Sequence, residues 1–362
     1  MPAPFPIAQD GQALNLPPTG FPLYVGRRQP RVVTSDVWAF LRHKAVSSLP
    51  KEKQKEAVAF IEQAFEFFEA AANPRIGSRP LLYYYSFLNL AKVLLLIRKV
   101  RLPLKLGHGI LDSRANVRTR LRLQGQTVRV VKCAHDHSEL FPEFVKVFGD
   151  EIRRPQEIKV VGLLRQMPSI HRTFCRVTGE KASFLPLKKV EVLRRHGHVF
   201  TRIILNNEDS DVRSVLPKLR ARRAFKRVFH QVCPQSADSH EIWFESVARP
   251  GIRRGVDTAI VKLAGDIQDI GVWTILTSQG NRYYLSSISP GKMLPPLASV
   301  YAVMFYLGSI TRYKPYDFDR IVSHKYSWLV NEFLRTQPAQ FLYGLASHVA
   351  CVDVVRPFAS MD

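Results

Sequence analysis

One stretch of the chain, residues 81–97, limits the possible folds more than any other because it is apolar on nearly every side. It reads LLYYYSFLNLAKVLLLI, and Ser78 and Pro80 just before it are typical of the start of a helix. A helix that is apolar all round is buried in a bundle or spans a membrane. Asn89 and Lys92 in its middle favour the bundle, because hydrocarbon penalises polar and charged side chains.

A second apolar stretch, residues 293–311, leads to the same interpretation. It is uncharged for 19 residues. Pro295 and Pro296 leave only about 15 residues for a helix, fewer than the ~20 that a membrane span needs. Neither stretch therefore predicts a membrane span. Helices this apolar at the two ends of a chain would bury poorly alone, so we expect them to pack together.

The periodicity of the chain predicts an α+β fold. A helical bundle is formed from the N- and C-terminal segments, with a mixed, β-rich, basic insertion between them. The predicted divisions are an extended leader at 1–33, a helical block at 34–105, the mixed middle region at 106–290 and a second helical block at 291–362.

Several individual elements are also predicted from periodicity and from breaking residues. The middle region is expected to hold a helix at 212–229, a strand at 256–262 and a hairpin that joins 272–277 to 282–287. Near the C-terminus, Pro338 is expected to separate two helices, because proline cannot donate a backbone hydrogen bond.

Cysteine usage and the N-terminal sequence predict a cytoplasmic protein. The four cysteines are far apart and none lies in a CxxC pair, which indicates reduced thiols rather than a disulfide framework. The first residues lack the basic and apolar regions of a signal peptide.

Charge is the strongest indication of a partner. Lys and Arg number 53 against 30 Asp and Glu, a net charge of +23. Residues 98–132 and 212–227 hold much of this excess. On a strand, alternate arginines share one face about 7 Å apart, near the spacing of phosphates; on a helix, positions i, i+3 and i+7 also share a face. The predicted polyanion contacts are Arg118, Arg120, Arg122, Arg220, Arg223 and Arg227.

These arginines predict RNA or DNA as a partner, and a solvated basic surface that only aids solubility is the alternative. A protein partner, with the chain acting as an adaptor or as a member of a defence or toxin system, is a further hypothesis.

Polar residues within the first apolar helix allow two interpretations. Ser86, Asn89 and Lys92 recur every three residues and so trace one stripe. They could form an internal polar network, because a buried lysine needs a partner. They could instead contribute to a small anion pocket, which would make the protein a small-molecule or nucleotide sensor. The residues of that predicted pocket are Asn89, Lys92, His108, Arg312 and Tyr313.

No common catalytic pattern is present. The sequence lacks GxxxxGK[ST], GxGxxG, GxSxG and HExxH. Cys133, His135 and His137 lie close together but lack the distant second pair of a zinc site, so a structural turn is the better interpretation. The sequence thus assigns no catalytic residue, metal or cofactor, and favours a binding protein over an enzyme.

Two long motifs resemble the YaaC-like protein family of bacteria. The first is SRPLLYYYSFLNLAKVLLL with HGI at 108–110, and the second is residues 294–334, with Arg312–Tyr313 inside it. The resemblance implies a two-block helical architecture and supplies no activity. The first helix also has a weaker similarity to HEPN-type bundles, many of which are ribonucleases; this would imply an Arg–His pair, but such pairs occur here about as often as chance predicts.

Overall fold

The computed structural model describes residues 5–6, 8–9, 12–13, 31–72, 77–103, 106–112, 123–131, 139–234, 240–256, 258–260, 262–263, 271–277, 280–287, 294–323 and 325–357. The helices are α1 Val37–Ser48, α2 Lys51–Ala72, α3 Arg79–Ile97, α4 Leu140–Lys146, α5 Val160–Arg165, α6 His171–Thr178, α7 Ser210–Ala221, α8 Arg223–Val228, α9 Pro296–Tyr313, α10 Pro315–Ser323 and α11 Ser327–Ala350.

Fifteen strands lie within the same described residues. They are β1 Phe5–Pro6, β2 Ala8–Gln9, β3 Gln12–Ala13, β4 Arg31–Val33, β5 Ile110–Asp112, β6 Thr127–Val130, β7 Gln156–Lys159, β8 Phe184–Pro186, β9 Lys189–Arg195, β10 His198–Asn206, β11 Phe229–Val232, β12 Glu241–Ser246, β13 Val272–Thr277, β14 Gly280–Ser286 and β15 Asp353–Val355. The mixture of helices and small sheets confirms the α+β class.

The chain divides into two compact units. The helical unit comprises Thr34–Glu180 and Leu294–Ala350, and the sheet unit comprises Met1–Val33, Lys181–Met293 and Cys351–Asp362. The boundary at residue 180 lies inside the predicted middle region, 106–290.

In the helical unit, α3 is the central helix. It packs against α2, α9 and α11, so helices from both ends of the chain share one core. The ring of Phe87 on α3 stacks on Phe341 of α11 with 3.9 Å between centroids, and both are fully buried. Among the described helices, α3 alone has the length and hydropathy that would suit a membrane span. However, 72% of its most apolar 18-residue stretch is buried inside the protein.

Pro338 does not end a helix, contrary to the prediction, because α11 continues through it. A proline at this position cannot donate a hydrogen bond to the carbonyl four residues earlier, which belongs to Leu334. The Arg79 side chain supplies the missing donor, since its Nη2 lies 3.3 Å from the Leu334 oxygen. A contact from a distant part of the chain thus satisfies the carbonyl.

The sheet unit is built on an antiparallel sheet with the strand order β1-β9-β10-β12-β11. Helix α7 and helix α8 contribute to the apolar core of this unit, which includes Leu216, Phe225, Ile203 and Phe244. The predicted hairpin is present as β13 and β14, and β8 extends it to three strands. The predicted strand at 256–262 is wrong: residues 256, 258–260 and 262–263 are helical.

Candidate functional site

A cavity of about 720 Å³ opens in the helical unit among three pieces of chain. These are the start of α3, residues 108–112, and the C-terminal half of α9. We call it the tyrosine cavity. Its lining residues are Leu81, Tyr84, Tyr85, His108, Ile110, Leu111, Asp112, Phe305, Gly308, Ser309, Arg312, Tyr313 and Lys314.

Gly308 brings the two helical walls of the cavity together. A Cβ atom at this position would lie 3.1 Å from the Tyr84 Cβ and 3.3 Å from the Leu81 Cα, closer than side chains normally pack. The absence of a side chain therefore lets α9 approach α3. Arg312 follows Gly308 by one helical turn, so the close approach also places Arg312 beside the tyrosines of α3.

His108 is held in the cavity wall by a tightly packed loop. The carbonyls of Gly107, His108 and Gly109 accept hydrogen bonds from Leu140 N, Phe141 N and Val131 N at 2.9, 3.1 and 3.1 Å. Gly109 has a φ of +71°, and a Cβ there would lie 2.4 Å from the Pro142 Cδ, so only glycine fits. This loop fixes the position of the His108 ring.

Tyr84 forms a hydrogen bond with His108. The Tyr84 Oη lies 2.8 Å from the His108 Nδ1. Burial raises the pKa of Tyr84, so its hydroxyl keeps its proton. Burial, and then the charge of Lys92, lower the pKa of His108, so the ring is neutral near pH 7. A neutral imidazole has one donor and one acceptor nitrogen, so His108 adds a neutral hydrogen-bonding group to the cavity wall.

Arg312 is the principal cation of the cavity. Its Nη1 donates to the Tyr85 Oη at 2.8 Å, and its guanidinium lies 5.0 Å from the centroid of the Tyr313 ring. Both Arg312 and Tyr313 are exposed, with Tyr313 66% accessible. The hydrogen bond to Tyr85 fixes the guanidinium while it stays open to solvent, and Lys314 adds a second cation.

Asp112 contributes a negative charge to the cavity wall, in contrast to the cations Arg312 and Lys314, and it is hydrogen-bonded to Ser309. The Ser309 hydroxyl donates to the Asp112 Oδ2 at 3.4 Å. The carboxylate makes this part of the wall a hydrogen-bond acceptor, whereas Leu81, Ile110 and Phe305 are apolar. The tyrosine cavity thus combines cations, one carboxylate and several aromatic rings.

Three of the five predicted pocket residues, His108, Arg312 and Tyr313, line the tyrosine cavity. Asn89 and Lys92 do not. The Asn89 Nδ2 donates to the Gln63 Oε1 of α2 at 2.7 Å, and the Lys92 ammonium lies 4.7 Å from the centroid of the Phe60 ring. Both residues therefore contact α2: Asn89 makes a polar contact, as an internal network would, whereas Lys92 meets an aromatic ring.

Sequence reasoning missed Tyr84, Tyr85, Asp112 and Ser309. The run of three tyrosines in α3 and the Gly-Ser pair in α9 were the available signals. Neither points to a site until α3 and α9 are seen to cross at Gly308. Among the described residues, no group of three His, Cys, Asp or Glu side chains could hold a metal ion.

Of the six arginines predicted to bind polyanions, three lie among the described residues. Arg118, Arg120 and Arg122 lie outside the described residues. The single helix predicted at 212–229 is wrong, because the backbone is extended at Arg222 and separates α7 from α8. The buried positions change phase there: Leu216 and Leu219 belong to one helical stripe, whereas Phe225 does not continue it.

Arg220 therefore lies on α7, whereas Arg223 and Arg227 lie on α8, and the three do not form one helical stripe. All three are exposed. The Arg220 Nη2 donates to the Gln231 Oε1 at 2.6 Å. Arg222 is directed elsewhere, with its Nη1 donating to the Ser286 carbonyl at 3.1 Å.

Comparison with known proteins identifies a family. A family model described as YaaC-like protein matches residues 28–349, nearly the whole chain. No curated protein and no solved structure matches the chain significantly.

Proposed function

The chain belongs to the YaaC-like protein family, and we propose that its tyrosine cavity binds a ribonucleoside phosphate. The observation that carries this proposal is Arg312, whose guanidinium is hydrogen-bonded to Tyr85 and lies over the ring of Tyr313. A fixed cation beside one exposed and one half-buried aromatic ring suits a ligand that has both an anionic group and a flat ring.

The anionic group is expected at Arg312 and Lys314. A guanidinium forms two parallel hydrogen bonds with a phosphate, and such charge-assisted bonds are stronger than neutral ones. The hydrogen bond from Nη1 to Tyr85 holds the Arg312 side chain in place, so less conformational entropy is lost when the ligand binds.

The remaining lining supports a nucleoside rather than a simple phosphate. Tyr85 and Tyr313 offer rings on which a base can stack. Asp112 and Ser309 can accept hydrogen bonds from ribose hydroxyls or ring amines, and the His108 imidazole adds a further hydrogen-bonding group. The cavity volume of about 720 Å³ falls within the range of roughly 300–1,000 Å³ that is usual for small-ligand sites.

A thermal-shift screen tests this proposal. We expect the four ribonucleoside monophosphates or their triphosphates to raise the Tm, because a ligand present at a hundredfold excess over its Kd stabilises the folded state by about 2.7 kcal/mol. Pyrophosphate has no ring and guanosine has no phosphate, so each should give a smaller shift. The proposal is wrong if no nucleotide raises the Tm, or if pyrophosphate does so equally well.

A second function, contact with RNA or DNA, is favoured by the surface of α7 and α8. Residues 212–227 contain no acidic side chain, and their exposed cations lie on both helices. These exposed cations are Arg213, Lys218, Arg220, Arg223, Lys226 and Arg227. Such a surface neutralises backbone phosphates without reading the base sequence. A cytoplasmic location, which the sequence predicts, would give access to either ligand.

Fluorescence anisotropy with labelled single- and double-stranded RNA and DNA tests the second function. The wild-type protein should bind at about 50 mM salt and lose affinity steeply by about 200 mM, since each neutralised phosphate contributes about −0.9 to the log–log salt slope for duplex DNA. Failure to bind any of the four nucleic acids at the lower salt concentration would exclude it.

A further inference from the structure

A second basic surface in the sheet unit is assembled from two distant segments of chain. One is the turn between β9 and β10, Arg194–His198, and the other is residues 249–254. Val199 N donates to the Pro250 carbonyl at 3.0 Å and Ile252 N donates to the Gly197 carbonyl at 3.1 Å. These two backbone bonds hold the segments side by side. We call this surface the hairpin corner.

The turn within the hairpin corner is tight. His196 and Gly197 both have positive φ, 50° and 74°, as a two-residue turn between antiparallel strands requires. The His198 Nδ1 donates to the His196 carbonyl at 2.9 Å and closes the turn. The backbone of the corner is therefore well defined.

The hairpin corner carries positive charge and no acidic residue. Its segments read RRHGH and RPGIRR. Arg253, His196 and His198 are exposed, and Arg195 and Arg249 are half-buried. Neither segment is long enough to stand out in the sequence, so the concentration of charge becomes visible only when the fold joins them.

Two of the arginines are held in fixed positions by buried groups. The Arg249 Nη2 lies 2.7 Å and the Arg195 Nη2 3.8 Å from the Glu245 Oε2. Both guanidiniums also lie over the buried Phe200 ring, at 4.5 and 5.4 Å from its centroid. Side chains that are already ordered lose little entropy when they bind a partner.

Positive charge exceeds negative charge in the cluster of arginines around Glu245. Arg202 also binds Glu245, with its Nη2 2.7 Å from the Oε1, and its Nη1 lies 3.8 Å from the Glu191 Oε2, so three guanidiniums face two carboxylates. Burial raises the pKa of Glu245, but hydrogen bonds from Arg202 and Arg249 outweigh burial and lower it overall, so the carboxylate stays ionised. Glu245 and Glu191 order the three arginines without neutralising all of them.

We propose that the hairpin corner contacts the phosphodiester backbone of a nucleic acid. This inference rests on the second proposed function and names its principal contact surface. Ordered guanidiniums match phosphate oxygens. The described side chains of both segments include no exposed large apolar residue, which a membrane surface would need. They also include no exposed Phe, Tyr or Trp ring, so phosphates are the expected contact, and the exposed imidazoles of His196 and His198 are the aromatic rings that a base could meet.

The end of α8 adjoins the hairpin corner. Val247 N donates to the Val228 carbonyl at 2.8 Å, two residues before Arg249 in the chain. The backbone of Arg227 therefore lies beside the segment that carries Arg249. This adjacency lets one nucleic acid reach both surfaces.

Salt-dependent anisotropy of three variants tests the inference. In Arg253→Ala and Arg249→Ala, each lost phosphate contact should flatten the log–log salt slope by about 0.9 for duplex DNA or about 0.7 for single strands, equally for all base sequences. Arg253 is exposed, so its variant should fold even if Arg249→Ala does not. Arg335→Ala on α11, an exposed arginine of the helical unit, is the charge-matched control and should keep the wild-type slope.

Failure of the inference and failure of the second proposed function give different results. If the wild-type protein binds no nucleic acid, the proposed function is wrong. If it binds, and Lys226→Ala with Arg227→Ala flattens the slope while Arg253→Ala and Arg249→Ala do not, the function stands and the hairpin corner is not the contact surface. Binding to anionic lipid vesicles but to no nucleic acid would also overturn the inference.

Discussion

Replacing Phe87 with alanine should lower the free energy of unfolding by about 3–5 kcal/mol, the usual cost of removing a fully buried phenylalanine. Phe87 is 0% exposed, and its ring stacks on Phe341 at 3.9 Å. The loss combines the transfer free energy of the ring with the cavity left between α3 and α11. Urea unfolding followed by circular dichroism measures it.

A double-mutant cycle identifies the source of that loss. Phe87→Ala and Phe341→Ala together should cost less than the sum of the two single variants, with a coupling of about 0.5–1.5 kcal/mol for a stacked aromatic pair. Tyr316→Ala, which removes a ring that is 72% exposed, is the control and should change stability little. Additive single losses would contradict the shared core of N- and C-terminal helices.

Replacing Arg312 with alanine should raise the Kd of the ribonucleoside phosphate about 10- to 150-fold, because a hydrogen bond to a charged group contributes about 1.5–3 kcal/mol. Titration calorimetry measures the change. Arg312→Lys keeps the charge but loses the planar donor group, so its Kd should be intermediate. The Kd of the matching nucleoside, which has no phosphate, should change little in either variant.

Tyr85→Phe tests whether Tyr85 positions Arg312. Removing the hydroxyl that accepts from the Arg312 Nη1 frees the guanidinium, so the nucleotide Kd should rise while that of the nucleoside stays the same. Arg335→Ala is again the matched control. An Arg312→Ala protein that binds nucleotide with the wild-type Kd would rule out Arg312 as the phosphate contact.

The helical unit could be predicted largely from local pattern. The stripe of Ala57, Ile61 and Ala64 on α2 is buried, and the all-apolar α3 is central. Pro338 misled the prediction because the donor that compensates for it, Arg79, is more than 250 residues away in the chain. The strand predicted at 256–262 failed because Ala259 and Ile260, with Leu263 just beyond them, are buried at a helical spacing.

The tyrosine cavity could be predicted only in part. Tyr85, Asn89 and Lys92 share one face of α3, opposite Phe67, Gln63 and Phe60 of α2. Tyr85 reaches Arg312, whereas Asn89 and Lys92 lie about one and two turns further along α3. Spacing along the helix predicted a stripe of Ser86, Asn89 and Lys92, which does not include Tyr85. The residue that meets Arg312 depends on where α9 crosses α3, and the pattern of either helix alone does not determine that crossing.

A crystal structure of the protein with the nucleotide that gives the largest thermal shift is the most direct test of the proposed function. We expect the ligand in the tyrosine cavity, with a phosphate oxygen within hydrogen-bond distance of the Arg312 guanidinium and the base beside Tyr85 or Tyr313. A nucleotide bound elsewhere on the protein, with the tyrosine cavity unoccupied at saturating ligand, would contradict the proposal.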